Sequence, residues 1–237
     1  MNLFPTQKIL DTNNFRCDYM KDKKVTYYEV KEEILNVISH GIGLLLSIAA
    51  LVLLVVFASL EGTTWHIVSF AIYGASLIVL YSASTLYHYV QHPELRRKLN
   101  IFDHAAIYIL IAGTYTPFTL IVLKGWVGWT IFGFSWGLAI IGVILKLFYT
   151  GEYDKISTLA YVLMGWLIIF AIKPLVGNLP FKGLMWLLSG GVAYTVGALL
   201  YSIKSIRYNH AIFHIFVLFG SFSHFIAIFF YVLPIKK

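Results

Sequence analysis

Three histidines and an aspartate near the ends of long apolar segments are the residues best suited to chemistry in this 237-residue chain. His210 and His214 lie four residues apart, so a helix places both imidazoles on one face, where they can bind one ion. His88 ends a second apolar segment and Asp103 opens a third, and both are predicted to reach the same depth of a membrane. Neutral imidazoles suit zinc, and three protein ligands with an open fourth position are typical of a catalytic zinc site.

Each of these residues also has an interpretation without chemistry. Two histidines at a helix end can simply be interfacial, and Asp103 can favour the positive end of its own helix. Ser84, one turn before His88, can bond to a carbonyl of its own turn. The shared depth of the four residues favours the metal site. Ala211 follows His210, so the HExxH pattern of zincin proteases is absent.

The composition of the chain indicates the class of protein in which these residues lie. The chain is 59% apolar and 12% charged, with a mean hydropathy of +0.78, whereas an average soluble domain is about 25% charged. This balance excludes disorder and an ordinary cytosolic enzyme, and the single cysteine, Cys17, excludes an intrachain disulfide framework. The net charge of +7 lies in short stretches between apolar segments, so we expect a membrane protein and no nucleic-acid partner.

Seven segments are predicted to cross the bilayer as helices, because a hydrocarbon core needs about 20 apolar residues per crossing. They are Val37–Leu60, Ile67–Val90, Ile101–Leu123, Val127–Phe148, Ile156–Ile172, Leu184–Ile203 and Ala211–Leu233. We therefore predict an all-α transmembrane bundle of seven helices over residues 37–237. A polar cytoplasmic segment over residues 1–36, without a removable signal peptide, is expected to precede it.

The distribution of Lys and Arg predicts the orientation. Thirteen lie on the N-terminal side of the bundle and five on the other, which places the N-terminus in the cytoplasm and the C-terminus outside a cell membrane. Pro117 is expected to kink the third helix, and Pro174 and Pro180 to mark a turn. The Gly133 and Gly137 pair is expected to let helices approach closely.

Several motifs together resemble the hemolysin III family, the bacterial branch of the progestin and adipoQ receptor (PAQR) proteins. The resemblance runs in order from Glu32 to the C-terminus. The motifs are Glu32-Glu33-x-x-Asn36-x-x-Ser39-His40-Gly41-x-Gly43, Ser84-x-x-x-His88, Phe102-Asp103-His104-Ala105-Ala106-Ile107-Tyr108, Ala112-Gly113-Thr114-Tyr115-Thr116-Pro117 and His210-x-x-x-His214-x-Phe216-Val217-Leu218-x-Gly220.

The resemblance implies a zinc ion held by His88, His210 and His214. It also implies that Asp103 holds the water at the metal and that Ser84 lies beside it. The family is related to the adiponectin receptors and is grouped with the alkaline ceramidases, which suggests an amide-hydrolysing ancestry. Many members have Glu where this chain has Ala211, but that position is not a ligand in the family pattern.

Three functions follow as hypotheses. The first is a zinc-dependent intramembrane hydrolase of an acyl-amide or ester lipid, in which Asp103 and Ser84 are catalytic and membrane lipids are the partners. The second is a sensor or regulator of membrane state with structural zinc, and the third is a haemolytic protein that permeabilises membranes. A transport path through Tyr194 and His224 is less favoured than a structural hydrogen bond of His224 to a neighbouring helix. Glu33 and His40 either support the metal ligands or cap the first helix.

Overall fold

The computed structural model describes residues 27–233, which form seven long helices and contain no strand. All seven are long and apolar enough to cross a membrane, so the predicted all-α bundle is confirmed. The helices are α1 (Val30–Glu61), α2 (Thr64–Tyr89), α3 (Pro93–Leu123), α4 (Gly125–Tyr149), α5 (Asp154–Asn178), α6 (Phe181–Ser202) and α7 (Asn209–Tyr231).

Short connections make consecutive helices antiparallel, and each packs against the next. The first helix also packs against the last, α7, so the bundle closes on itself. The odd-numbered helices begin at one end of the bundle, here called the α1 end. The C-terminal end of α2 and the beginnings of α3 and α7 therefore meet there, which is where the candidate residues lie.

The first helix begins at Val30, seven residues before the predicted Val37. Residues 30–36 of the predicted polar segment are thus helical, and residues 1–26 of that segment lie outside the described part of the chain. Glu32 and Glu33 occupy the first turn, where acidic groups complement the positive end of a helix. Both are buried, because α1 extends beside α2 and α7 instead of into open water.

The third helix begins at Pro93, well before the predicted Ile101. Proline suits the first helical position because the amide there has no helical partner. The basic triplet Arg96-Arg97-Lys98, which was expected in a loop, is therefore helical. Asp103 lies ten residues inside α3, about 15 Å along its axis, and does not open the helix as expected.

The fifth helix is longer than the predicted Ile156–Ile172 and is broken near its middle. A 3₁₀ stretch, Leu167–Ala171, separates two α-helical parts. The Tyr115 hydroxyl of α3 donates to the carbonyl of Gly165 at 2.7 Å and accepts from the amide of Ile168 at 3.0 Å, so it satisfies the backbone at the break. Of the two prolines predicted to mark a turn, Pro180 lies in the connection between α5 and α6, whereas the prediction for Pro174 is wrong because it lies within the helical stretch that ends at Asn178.

Two further expectations concern Pro117 and the glycines. Regular α-helix ends at Pro117, and α3 finishes as a π-helix over Phe118–Leu123. The predicted packing role of Gly133 and Gly137 is wrong, because a Cβ at either position would have no described atom within 4 Å. The close approach occurs instead at Gly197 of α6, which lies against a side chain of α7.

Candidate metal centre

The imidazoles of His88, His210 and His214 converge at the α1 end of the bundle. His88 lies at the end of α2, and His210 and His214 occupy the first two turns of α7. The Nε2 atom of His210 lies 3.1 Å from Nε2 of His88 and 3.0 Å from Nε2 of His214. All three residues are buried, and one ring nitrogen from each lies within 4.8 Å of the other two. The structure thus brings together the three predicted ligands.

The opposite ring nitrogen, Nδ1, has an oxygen beside it in every case. For His88 this is a carboxylate oxygen of Glu33 at 2.7 Å, for His210 the hydroxyl of Tyr28 at 3.2 Å, and for His214 the hydroxyl of Ser39 at 3.4 Å. A ring hydrogen on Nδ1 satisfies each oxygen and leaves a lone pair on each Nε2. Oxygen acceptors in this position are what orient metal-binding histidines.

These three lone pairs fit a zinc ion. Zinc–nitrogen bonds of about 2.0–2.1 Å in a tetrahedral arrangement separate ligand nitrogens by about 3.3 Å, close to the observed distances. Without a cation, three lone pairs facing one point repel one another. The donor set and its spacing therefore fit a zinc ion, which the three histidines would hold.

The first helix supports all of the helices that carry these ligands. The Glu33 carboxylate that contacts His88 also forms an ion pair with Arg96 of α3. The other acidic residue, Glu32, accepts hydrogen bonds from the amides of His210 and Ala211 and so caps the N-terminus of α7. The sequence left open whether Glu33 supports the metal ligands or caps the first helix. The structure shows that its carboxylate contacts His88, a candidate ligand.

Arg96 was not singled out by sequence reasoning. It is 0% exposed and donates to the carbonyls of Tyr87, His88 and Val90, which close the C-terminal end of α2. Arg96 belongs to a run of basic residues, which is typical of the boundary of a membrane and does not predict burial. Tyr28 was also missed. Burial raises the pKa of its hydroxyl well above the ordinary value, so the group beside His210 stays neutral.

His40 of α1 lies flat against one of the candidate ligands. Its ring stacks on His214 with centroids 3.5 Å apart and an angle of 8° between the planes. Tyr81 meets the same ring edge-on at 5.0 Å. Neither ring nitrogen of His40 has a hydrogen-bond partner among the described residues. His40 therefore restricts the His214 ring by packing and not by a hydrogen bond.

A cavity of about 150 Å³ opens beside the histidines, and both predicted catalytic residues line it. Asp103 of α3 and Ser84 of α2 share its wall with His210 and His214. Asp103 is 8% exposed and Ser84 1%. The Ser84 hydroxyl has no hydrogen-bond partner among residues 27–233, so it is free to bind a group inside the cavity.

The cavity continues from the histidines towards the middle of the bundle. On α7 its lining extends from His210 to His224, a separation of 14 residues or about 21 Å along the axis. Most of the wall is apolar, including Leu80, Ile111 and Phe213. The space is thus narrow, long and apolar, with the polar groups described above near the α1 end.

Comparison with known proteins identifies the family. A family model described as Haemolysin-III related matches residues 28–225. The chain is 52% identical over 205 residues to Hemolysin-3 of Bacillus cereus, which covers 86% of this chain and 94% of that protein. It is 48% identical over 204 residues to the Hemolysin-3 homolog of Bacillus subtilis (strain 168), covering 86% and 96%.

A more distant relative is found in animals. The human monocyte to macrophage differentiation factor is 28% identical over 175 residues, covering 71% of this chain and 72% of that protein. The region matched by the family model contains α1 to α6, α7 as far as residue 225 and all three clustered histidines. The chain belongs to the hemolysin III family of membrane proteins.

Proposed function

We propose that this protein is a zinc-dependent intramembrane hydrolase that cleaves an acyl-amide or ester bond of a membrane lipid. The observation that carries the proposal is the convergence of His88, His210 and His214 beside a long apolar cavity. That cavity also presents Asp103 and Ser84. A purely structural cluster has no need of free polar groups on a cavity wall.

The histidines would hold zinc through Nε2, and zinc when bound supplies a Lewis acid that activates water at neutral pH. The carboxylate of Asp103 would orient the attacking water and accept its proton. It would then return this proton to the amine or alcohol that leaves when the acyl bond breaks. The Ser84 hydroxyl donates a hydrogen bond to the carbonyl oxygen of the scissile bond, where negative charge develops. The apolar wall binds the acyl chain and keeps bulk water away.

The Lys and Arg bias supports an orientation in which the α1 end of the bundle lies at the cytoplasmic face of the cell membrane. The site would then take its substrate from the inner leaflet. A lipid can enter such a cavity with its chain along the bundle axis and its polar linkage at the depth of the histidines.

A second candidate is a regulator of membrane state in which the metal is structural. It is favoured by the buried contacts of Glu32 and Glu33, which join α1 to α2, α3 and α7 around the histidines. A metal at that junction would join α2 to α7 directly, and the two carboxylates would connect α1 and α3 to them. The similarity to Hemolysin-3 and to a Hemolysin-3 homolog supports a third candidate, a protein that permeabilises membranes.

Purified full-length protein in lipid nanodiscs separates these candidates. Zinc-loaded and chelator-treated samples are incubated with synthetic acyl-amide and ester lipids, and released fatty acid is measured by mass spectrometry. We expect release only from the zinc-loaded sample and none from an Asp103→Asn variant that retains zinc. Zinc-dependent thermal stability without release of fatty acid from any lipid would support the regulator. Leakage of dye from vesicles without lipid cleavage would support the permeabilising protein.

A further inference from the structure

The end of the cavity that lies farthest from the clustered histidines, here called the deep end, contains a histidine that is not one of the three candidate metal ligands. His224 lies ten residues after His214 on α7, about 15 Å further along the axis, and faces the cavity. Its Nε2 lies 3.1 Å from the carbonyl oxygen of Leu187 on α6. A carbonyl oxygen can only accept, so Nε2 carries the ring hydrogen. This contact is the structural hydrogen bond that the sequence favoured.

The same hydrogen bond fixes the character of the other ring nitrogen. With the hydrogen on Nε2, Nδ1 of His224 is an acceptor with a free lone pair. His224 is 8% exposed, and Nδ1 has no hydrogen-bond partner among residues 27–233. A buried acceptor without a donor is costly, and protonating the ring at this depth would bury a charge.

The side chain cannot turn away easily to relieve this cost. Gly190 of α6 lies directly against the His224 ring, and even a methyl group at that position would overlap it. The ring therefore lies in a slot between α6 and α7, with Nε2 bonded to α6, in a residue that lines the cavity.

Other polar groups near the deep end already have partners. The Tyr194 hydroxyl lies 2.7 Å from the hydroxyl of Ser221, which also accepts from Tyr81 at 2.8 Å. The indole of Trp166 donates to Thr195 at 3.0 Å. None of these groups reaches His224 with a hydrogen bond in the described structure, so the donor to Nδ1 comes from outside the described residues, either a water molecule or a bound ligand.

We propose that the cavity binds a lipid whose apolar chain carries a hydroxyl group, and that this hydroxyl donates to Nδ1 of His224. A hydroxyl is the donor that fits, because an ammonium would be buried as a charge among apolar side chains. The inference rests on the proposed function, which places the scissile carbonyl beside the clustered histidines, and it names the substrate class as a hydroxylated acyl chain.

The spacing predicts where the hydroxyl lies on the chain. His224 is about 15 Å from His214 and about 21 Å from His210 along the α7 axis. An extended chain advances about 1.25 Å per carbon–carbon bond. The hydroxyl is therefore expected about 12 to 17 bonds from the carbonyl carbon, near the far end of a sixteen-carbon acyl chain.

Binding to the zinc-loaded full-length protein tests this without any turnover. The ligands are palmitate, 2-hydroxypalmitate, 15-hydroxypalmitate and 15-oxopalmitate, whose ketone accepts but cannot donate. We expect 15-hydroxypalmitate to bind about three- to tenfold more tightly than palmitate, the effect of one added hydrogen bond. Neither 2-hydroxypalmitate nor 15-oxopalmitate should show this gain.

Two variants complete the experiment. His224→Phe should bind palmitate and lose the gain for 15-hydroxypalmitate. Ser223→Ala is the matched control, because the neighbouring Ser223 hydroxyl is equally buried and unpartnered in the described structure but does not line the cavity. This control should retain the gain in full.

The outcomes separate this inference from the proposed function. If none of the four fatty acids binds, the apolar chain site fails and the proposed function fails with it. If palmitate binds but 15-hydroxypalmitate shows no gain, or shows an undiminished gain in His224→Phe, only the hydroxyl site is overturned. If His224→Phe does not fold, the wild-type comparison decides, and equal affinity for the hydroxy and oxo compounds rejects the inference.

Discussion

A carboxylate oxygen of Glu33 lies 2.7 Å from Nδ1 of His88, and the other oxygen of the same carboxylate pairs with Arg96. One acidic side chain thus connects α1 to a candidate ligand on α2 and to a buried guanidinium on α3. Carboxylate–histidine contacts orient the ring and increase the basicity of the nitrogen that faces the metal. In the proposed zinc site, this arrangement would make the affinity for the metal depend on a residue that is not one of the three candidate ligands.

Glu33→Gln is expected to lower zinc affinity by about 10- to 100-fold, the usual effect of losing such an oriented partner. The amide keeps the shape of the side chain but weakens the bond to His88. Competition with a chromophoric chelator measures the change.

Glu29→Gln is the control for this variant, because the exposed Glu29 carboxylate pairs with Arg207 at 3.3 Å and accepts from the hydroxyl of Tyr208 at 3.4 Å, and neither residue is a candidate ligand. Its zinc affinity should equal that of the wild type. Equal affinities in all three proteins would show that Glu33 does not orient His88 for a metal.

Arg96→Leu should destabilise the bundle by roughly 3–5 kcal/mol, because it leaves the buried Glu33 carboxylate without its guanidinium partner. It also removes the donor to the carbonyls that end α2. Thermal unfolding in detergent, followed by circular dichroism, measures the loss. Lys98→Leu, two residues away on the exposed side of α3, should unfold at nearly the wild-type temperature, and a similar loss in both variants would contradict this role of Arg96.

The seven crossings could be predicted because the bilayer itself demands about 20 apolar residues in each. The pairing of His210 with His214 followed from helical spacing, and His88 from the alternation of the chain between two faces. The starts of α1 at Val30 and of α3 at Pro93 could not be predicted from apolar composition. The first turns of both helices lie outside the apolar stretches, and polar residues there are equally compatible with a loop.

Other features depend on contacts between distant parts of the chain. The break in α5 is stabilised by the Tyr115 hydroxyl of α3, which no local pattern near residue 167 reveals. Arg96 is buried because a carboxylate from α1 meets it, and a basic triplet near a membrane boundary predicts the opposite. The spacing of the motif that contains Glu33 was informative, because it places polar residues on one face of an otherwise apolar helix.

Gly43→Ala should lower stability by about 1–3 kcal/mol, because the added methyl group would overlap Tyr81 of α2 and Leu218 of α7. Gly133→Ala is the matched control, since the same methyl group meets no described atom there. Alanine also favours a helix by about 1 kcal/mol relative to glycine, so this control should be neutral or slightly more stable. Equal unfolding temperatures for the two variants would contradict the close packing at Gly43.

The orientation can be tested with reporters fused to the C-terminus. The bias of Lys and Arg predicts that alkaline phosphatase, which requires an oxidising exterior, is active there and that green fluorescent protein is dark. Moving the fusion to the connection between α2 and α3 should reverse both results. A fluorescent C-terminal fusion would place the metal centre in the outer leaflet instead of the inner one.

Asp103 distinguishes a reactive site from a structural clamp. It shares the cavity wall with His210 and His214, whose nitrogens already provide the converging donors together with His88. If the carboxylate acts on water, Asp103→Ala should retain most of the zinc and lose hydrolysis by at least about 100-fold, the contribution of a general base. His214→Ala should lose the metal itself. Zinc content by mass spectrometry and fatty acid release, measured on the same preparations, separate the two effects. If Asp103→Ala loses zinc as completely as His214→Ala, the carboxylate is a direct ligand that closes the fourth position, and the structural regulator becomes the better account of this protein.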